Sequence, residues 1–307
     1  ATWVLAGQID EPARHLCLLA FGKLGGDELN YSSDIDLLGL CDDCVYTVQT
    51  RTGEEWSHKQ LYQRVLDGVR KDLSDMTHDG FAYRVDFRLR PHGSAGEWAP
   101  SVSAAIDYYR TTARLWELQA TLKLRPIAGV LPIGEYFLGM LRQCLVAAHD
   151  PGQVRAGIAH LRALAVQKSA AGLRAGVDVK NGIGGIRDIE FCVQGLQLMH
   201  AGHTPQVLHH TTLSALRLLQ EQGVLDAAVA QQLAEDYRWL RRVEHFLQIL
   251  EDQQIHAVPL DGPAVAALAQ RVCGGATTAA NFLQQLDATM ARVKQYASAS
   301  LASEIPI

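Results

Sequence analysis

The sequence predicts an α+β chain: a small mixed sheet domain followed by an all-α helical bundle. Three observations carry this. Within the first 100 residues, short apolar runs alternate at period two and stop at turn residues. One segment between them has helical spacing. From about Ser101 onward, segment after segment repeats its apolar residues at helical spacing. The expected domains are 1–125 and 126–307, and 307 residues suffice for two cores.

The elements follow in order. His15–Phe21 (HLCLLAF) reads as a buried strand that ends at Gly22 and the turn-rich Gly25-Gly26. Asp34–Leu40 (DIDLLGL) alternates carboxylate and apolar residues, and Ala82–Leu89 (AYRVDFRL) alternates again until Pro91. Between them, Leu61, Val65, Leu66, Val69 and Leu73 mark a helix over His58–Leu73. Further helices are expected over Ser101–Leu122, Ile133–Ala148, Gln153–Ala171, Ile186–His200, Thr211–Gln222, Leu225–Leu250 and Thr277–Leu301. The breaks fall at Pro126–Pro132, Asp150-Pro151, Gly182–Gly185, Gly202–Pro205 and Gly274-Gly275.

Composition excludes several classes. Hydrophobic residues at 48% and charged residues at 20% fit a globular chain and oppose a disordered or fibrous one. A net charge of -5 provides no overall basic field for nucleic acid. No apolar run approaches the ~18–20 residues that span a bilayer, and no signal peptide is visible. Six irregularly spaced cysteines make no disulfide framework, so a cytoplasmic protein with reduced thiols is expected. The chain opens at Ala1 without a methionine, which reads as a fragment or a processed chain.

The segment Phe21–Leu40 carries the sharpest chemistry. Asp34 and Asp36 are two apart on a strand, so they share one face about 6.5–7 Å apart. Two bare carboxylates there repel, and a hard divalent cation such as Mg²⁺ between them relieves the repulsion. Where the third strand lies next to this one, its Asp86 completes a three-carboxylate set suited to phosphoryl or nucleotidyl transfer. Gly25 and Gly26 permit close backbone approach to a phosphate, and Ser32 and Ser33 offer a cap or a phosphate contact. Residues 81–125 hold seven basic residues against four acidic ones. Among them, Arg88 and Arg90 are expected to alternate with Asp86 on one strand face, where they suit a phosphate.

Lys180–Phe191 (KNGIGGIRDIEF) is the third informative stretch. Gly184-Gly185 leads into a helix whose free N–H groups favour an anion, with Arg187, Asp188 and Glu190 in its first two turns. Glu190 is placed to reach a metal, a ribose hydroxyl or an arginine. Other features score low. Cys41-Asp42-Asp43-Cys44 has CxxC spacing but no second pair, so neither zinc nor redox chemistry is expected of it. His209-His210 reads as a turn or helix cap. Arg238–Glu244 reads as a solvated helix face with local ion pairs.

These motifs resemble the polymerase-β-type nucleotidyltransferases, and more closely the bacterial glutamine synthetase adenylyltransferase/adenylyl-removing enzymes. Gly22–Leu37 (GKLGGDELNYSSDIDL), Val85–Pro91 (VDFRLRP) and Lys180–Phe191 look like three of the family's motifs; Leu240–Pro259 is a weaker likeness. The motifs span residues 19–259. Ser-Ser-Asp-Ile-Asp and Gly-Gly-Ile-Arg are similar to the family's N-terminal, adenylyl-removing half; Asp188 and Phe87 are small departures. The 307 residues carry one catalytic core, without the family's second half and much of its N-terminal helical segment.

The resemblance implies phosphorolysis of adenylyl-tyrosine on glutamine synthetase, yielding ADP, in the control of nitrogen assimilation. Asp34, Asp36 and Asp86 would hold one or two Mg²⁺ ions. Gly25, Gly26, Ser33, Lys23, Arg88, Arg90, Lys180, Arg187 and Glu190 would bind nucleotide or phosphate. Implied partners are glutamine synthetase, a PII-type signal protein, ATP or ADP and inorganic phosphate, with neither nucleic acid nor membrane. The alternatives are adenylyl transfer from ATP, a nucleotidyltransferase acting on a small molecule or RNA, and a relic domain that only binds partners.

Overall fold

The computed structural model describes residues 15–302 except 51, 79, 148, 173–175, 252–254 and 276. Its α+β architecture is the one expected: a small sheet early in the chain, then helices. Contacts divide it into two compact units. One is Ala1–Leu29 with Ser33–Leu145, and the other is Asn30–Ser32 with Val146–Ile307.

In the first unit, β1 (Leu16–Ala20) pairs antiparallel with β2 (Ile35–Cys41), joined by a turn that includes α1 (Gly22–Gly25). A hairpin of β3 (Thr47–Gln49) and β4 (Glu55–Ser57) leads into α2 (His58–Ser74). Ser57 opens α2 as a reciprocal cap: its hydroxyl accepts the Gln60 N–H, and Gln60 Oε1 accepts the Ser57 N–H. Leu61, Tyr62, Val65 and Leu66 then pack α2 onto the core beside Leu16, Leu18, Ile35 and Leu37. The approach is close: a Cβ on Gly39 would stand 2.5 Å from Leu66 Cδ1. After α2 comes β5 (Val85–Asp86), parallel to β2.

Four sequence expectations need correction here. The strand over Ala82–Leu89 shrinks to two residues, because the Asp86 carboxylate accepts the Arg88 N–H at 2.7 Å and turns the chain out of the sheet. The single helix over Ser101–Leu122 is two, α3 (Val102–Thr111) and α4 (Leu115–Thr121). β-branched Thr111 and Thr112 disfavour continuation, and the Glu117 side chain accepts the Arg114 N–H at 2.9 Å to start a new helix. The break at Pro126–Pro132 contains β6 (Arg125–Gly129), which pairs with β1. Pro126 is tolerated because β6 is an edge strand and a register shift falls at Leu18/Leu19. The turn after β1 contains the short α1. The sheet order is β5-β2-β1-β6. α5 (Leu131–Val146) contributes Phe137 and Leu141, both wholly buried.

The second unit is helical: α6 (Pro151–Gly172), α7 (Ile186–His200), α8 (Thr212–Glu221), α9 (Ala227–Glu251), α10 (Gly262–Cys273) and α11 (Ala279–Ala302), with a two-stranded pair of β7 (Val177–Asp178) and β8 (Ala257–Val258). α10, which the sequence reading passed over, supplies Val265, Leu268 and Val272 to the core. α7 lies at the centre of this core through Ile186, Ile189, Cys192, Val193 and Leu196. His209 Nδ1 accepts the Thr211 N–H two residues on, so the His209-His210 pair forms a turn ahead of α8 rather than a cap of its helical N–H groups. Of the likeness over Leu240–Pro259, residues 252–254 lie outside the described residues.

Two glycines make the packing testable. Gly184 sits at φ +81, and a Cβ there would stand 1.9 Å from the Met290 carbonyl oxygen, so the turn before α7 admits no side chain. Gly139, on the exposed side of α5, has nothing within 4 Å of a built Cβ. Gly184→Ala is expected to destabilise by roughly 2–3 kcal/mol through overpacking and backbone strain. Gly139→Ala is expected to be neutral or stabilising by up to about 1 kcal/mol. Denaturant midpoints of the two variants check the contrast.

Candidate active site

The carboxylates come first, because strand pairing places them. In the parallel register of β2 and β5, Ile35 stands opposite Val85 and Asp36 opposite Asp86. Directly opposed residues share a sheet face, so the two aspartates project together from strands about 4.8 Å apart. Asp34 lies two residues before Asp36, immediately ahead of β2, and ion-pairs with Arg84. The Phe21 N–H donates to the Asp36 carbonyl at 2.9 Å, which ties the start of α1 to this strand. Gly22, at φ +57, leaves the room that Asp36 Oδ2 uses: a Cβ there would stand 2.9 Å from that oxygen.

Arg88 completes the cluster. Its Nε bonds both Asp86 oxygens at 3.0 and 2.8 Å, and a terminal nitrogen reaches Oδ2 at 2.6 Å. These bonds hold the Asp86 carboxyl below its usual range, against the opposing effect of burial. Asp86, Asp36 and Asp34 all raise the affinity of Arg88 for its proton, so three carboxylates act on one guanidinium. An all-oxygen, multiply acidic donor set that already attracts a cation suits Mg²⁺. A cavity of about 410 Å³ opens here, walled in part by Asp34, Arg70, Arg84, Asp86, Arg88 and Trp98. A second, of about 260 Å³, shares Arg88 and Arg90 and adds His92, Tyr108 and Trp116.

Other residues singled out in the sequence take different places. β5 ends at Asp86, so neither Arg88 nor Arg90 shares a strand face with it; Arg88 reaches Asp86 from the turn that follows. Arg90 is buried and donates to the carbonyls of Phe87, Ser94 and Gly96 at 2.8, 3.0 and 2.9 Å, bracing the loop after β5. Gly25 is required by packing, whereas a Cβ on Gly26 would meet its nearest atoms at 3.3 Å. A Cβ on Gly25 would stand 2.0 Å from the Lys123 carbonyl oxygen, and both N–H groups already bond to α1 or the residue before it. Lys23 Nζ donates to the buried Ser33 hydroxyl at 3.4 Å. Arg125 bonds the carbonyls of Leu24 and Gly25 and pairs with Asp27 at 2.6 Å, and Lys123 pairs with Glu28 at 2.7 Å. Arg84 and Arg125 both lie in the basic stretch 81–125 that the sequence marks, whereas Arg70, on α2, carries no local signal of a place at this cavity.

Lys180, Arg187 and Glu190 belong to the second unit. The N–H groups at the start of α7 are not free for an anion. Gly184 donates to Asp188 Oδ2 at 2.7 Å, while Ile186, Arg187 and Asp188 donate to the carbonyls of Val179, Lys180 and Gly185. Asp188 itself is buried and held by Arg162 through two bonds of 2.6 Å. Arg187 lies over the Phe191 ring, with its buried Nε lacking a hydrogen-bond partner. Glu190 accepts from the Tyr237 hydroxyl at 3.4 Å.

The stretch Arg238–Glu244 is not a solvated face throughout. Arg238 and Arg242 are exposed, but Glu244 is wholly buried on the opposite side. Glu244 accepts from Arg241 at 2.6 Å and from Asn30 at 3.0 Å, and its carboxylate lies 4.0 Å from Lys180 Nζ and 3.4 Å from His256 Nδ1. Burial pushes the Lys180 ammonium below its usual range; Arg187 and Arg241 add to this, while Glu244 and Glu190 oppose it. A period-3.6 pattern with three arginines on it gives no signal that one carboxylate points inward.

Comparison with known proteins follows this division. Residues 5–140 match the family model of glutamate-ammonia ligase adenylyltransferase, and residues 155–301 match that of GlnD PII-uridylyltransferase. Curated relatives include the bifunctional glutamine synthetase adenylyltransferase/adenylyl-removing enzymes of three bacteria. That of Xanthomonas campestris pv. campestris (strain B100) is 39% identical over 254 residues, 83% of this chain and 27% of the relative. That of Hahella chejuensis is 38% identical over 256 residues, 81% of this chain and 25% of the relative. That of Rhizobium meliloti (strain 1021) is 35% identical over 285 residues, 92% of this chain and 28% of the relative. The chain thus belongs to the family of bifunctional glutamine synthetase adenylyltransferase/adenylyl-removing enzymes and spans about a quarter of the length of the curated relatives it matches.

Proposed function

We propose that this chain is a nucleotidyl-transferring core that removes AMP from the adenylyl-tyrosine of glutamine synthetase by phosphorolysis, releasing ADP. The observation that carries the reading is the register of Asp36 against Asp86, with Arg88 bonded across Asp86. The direction rests on Ser32-Ser33-Asp34-Ile35-Asp36 and Gly184-Gly185-Ile186-Arg187, which resemble the adenylyl-removing half.

Asp34, Asp36 and Asp86 would hold Mg²⁺, which when bound neutralises phosphoryl oxygens and the leaving phenolate. Arg88, exposed at its tip, binds and orients inorganic phosphate, with Lys23 and Ser33 as further donors. A phosphate oxygen attacks the α-phosphorus in line, the bond to the tyrosine oxygen breaks, and the phenolate takes up a proton. With a tyrosine pKa of about 10, that leaving group needs less help than an alkoxide. Arg90 and Gly25 support the site through packing rather than contact. Lys180, Arg187 and Glu190 remain candidates for binding nucleotide.

The match of residues 155–301 to a family named for PII supports a PII-type signal protein as regulator. A cytoplasmic location goes with such partners. Among the described residues no helix is long and apolar enough to cross a membrane.

The deciding assay supplies adenylylated glutamine synthetase, Mg²⁺ and phosphate and measures ADP. Phosphate-dependent ADP release that falls by more than about a hundredfold in Asp36→Ala is expected. Pyrophosphate from ATP with unmodified glutamine synthetase, and no ADP, would make the chain a transferase; silence in both directions would make it a binding domain. Two arginines are expected to separate. Arg88→Ala raises the KM for phosphate about tenfold or more and lowers the denaturation midpoint only slightly, because its side chain is 80% exposed. Arg90→Ala lowers the midpoint more, since three main-chain carbonyls lose a buried donor.

A further inference from the structure

The segment Cys41–Cys44 has the spacing of a metal motif, and the structure takes that pair apart. Cys41 is buried, with its thiol turned to the Ala99 carbonyl at 3.4 Å. Cys44 is exposed. What stands beside Cys44 is a histidine from 27 residues before Asp42.

Strand register brings it there. Leu16 is paired with Cys41, so His15 and Asp42 form the next cross-strand pair beyond β1 and β2. The Asp42 N–H donates to the His15 carbonyl at 3.2 Å, and His15 Nδ1 lies 2.5 Å from Asp42 Oδ2. The other oxygen, Oδ1, accepts the Cys44 N–H at 3.1 Å and folds Cys44 back over the pair. One donor atom from each of His15, Asp42 and Cys44 therefore lies within 4.8 Å of the others. Tetrahedral bonds of about 2.0–2.3 Å place ligand atoms roughly 3.3–3.8 Å apart, a separation that small side-chain rotations reach.

The surroundings fit a cation. Imidazole nitrogen, carboxylate oxygen and thiolate sulfur together select zinc-class metals over Mg²⁺. Asp43 is committed elsewhere, accepting the Ser103 N–H at 3.1 Å and its hydroxyl, and adds negative potential without being a ligand. The Tyr46 ring lies 5.3 Å from that of His15 and its hydroxyl bonds the buried Tyr62, which orients the imidazole from behind. The Cys41 N–H bonds the Pro100 carbonyl at 3.0 Å and holds the end of β2 still. His15 and Asp42 side chains are 40% and 30% exposed, leaving a way in.

We propose that His15, Asp42 and Cys44 form a binding site for a zinc-class divalent cation, with a solvent molecule in the fourth position. It stands at the opposite end of β2 from Asp36, six residues or about 20 Å along the strand. Binding releases the Cys44 thiol proton to solvent. The ion then joins the start of β1 to the end of β2 and stabilises the folded chain, because the unfolded chain does not hold the three donors together.

The test titrates the full chain with Co²⁺ under reducing conditions, with Mg²⁺ in excess to fill oxygen-only sites. One equivalent bound with a thiolate-to-cobalt charge-transfer band is expected. The band should vanish in Cys44→Ser and survive in Cys273→Ser. His15→Gln and Asp42→Asn should each weaken binding by at least about tenfold. Absence of the band, its survival in Cys44→Ser, or unchanged affinity in His15→Gln would each overturn the site. The readout does not involve catalysis, so it stands apart from the proposed reaction.

Discussion

Asp36 and Asp86 face each other across two parallel strands, and like charges so placed repel unless something positive joins them. That repulsion is the constraint around which the catalytic end of the first unit is organised. Arg88 answers it for Asp86, and Arg84 answers the matching problem at Asp34. The chain commits backbone to the solution as well. β5 stops after two residues because Asp86 captures the next available N–H, and the loop so released is braced by Arg90. A short strand is thus a consequence of placing acid and arginine two residues apart.

The long apolar runs were legible in the sequence because burial imposes a period. β1, β2, α2, α7 and α11 all fall close to where their apolar spacing put them. The spacing of Asp34 and Asp36 was legible for the same reason. What escaped was decided by contacts distant in sequence. Glu244 looks like any helix carboxylate until Asn30, 214 residues away, is seen bonded to it. Gly25 reads as a loop glycine, whereas the Lys123 carbonyl across the fold is what forbids a side chain. His15 and Cys44 meet through register alone, and no local pattern announces a register.

Polar groups inside the second unit carry an energetic cost of their own. A buried carboxylate is tolerable only with several donors around it. Asp188 has Arg162 and the Gly184 N–H; Glu244 has Arg241 and Asn30. Both networks reach the turn before α7, which the close approach of Gly184 to Met290 already tightens. Two kinds of constraint, steric and electrostatic, therefore fix one turn.

The first unit's sheet also has a defensive property. A four-stranded sheet presents two outer strands, and an unpaired outer strand can recruit a neighbouring molecule through its free main-chain groups. Here one outer strand, β5, is two residues long and flanked by Arg84 and Arg88. The other, β6, carries a proline with no N–H to offer and a register shift against β1. Neither strand offers a long regular edge for intermolecular pairing, so the strand irregularities also protect the exposed site from aggregation.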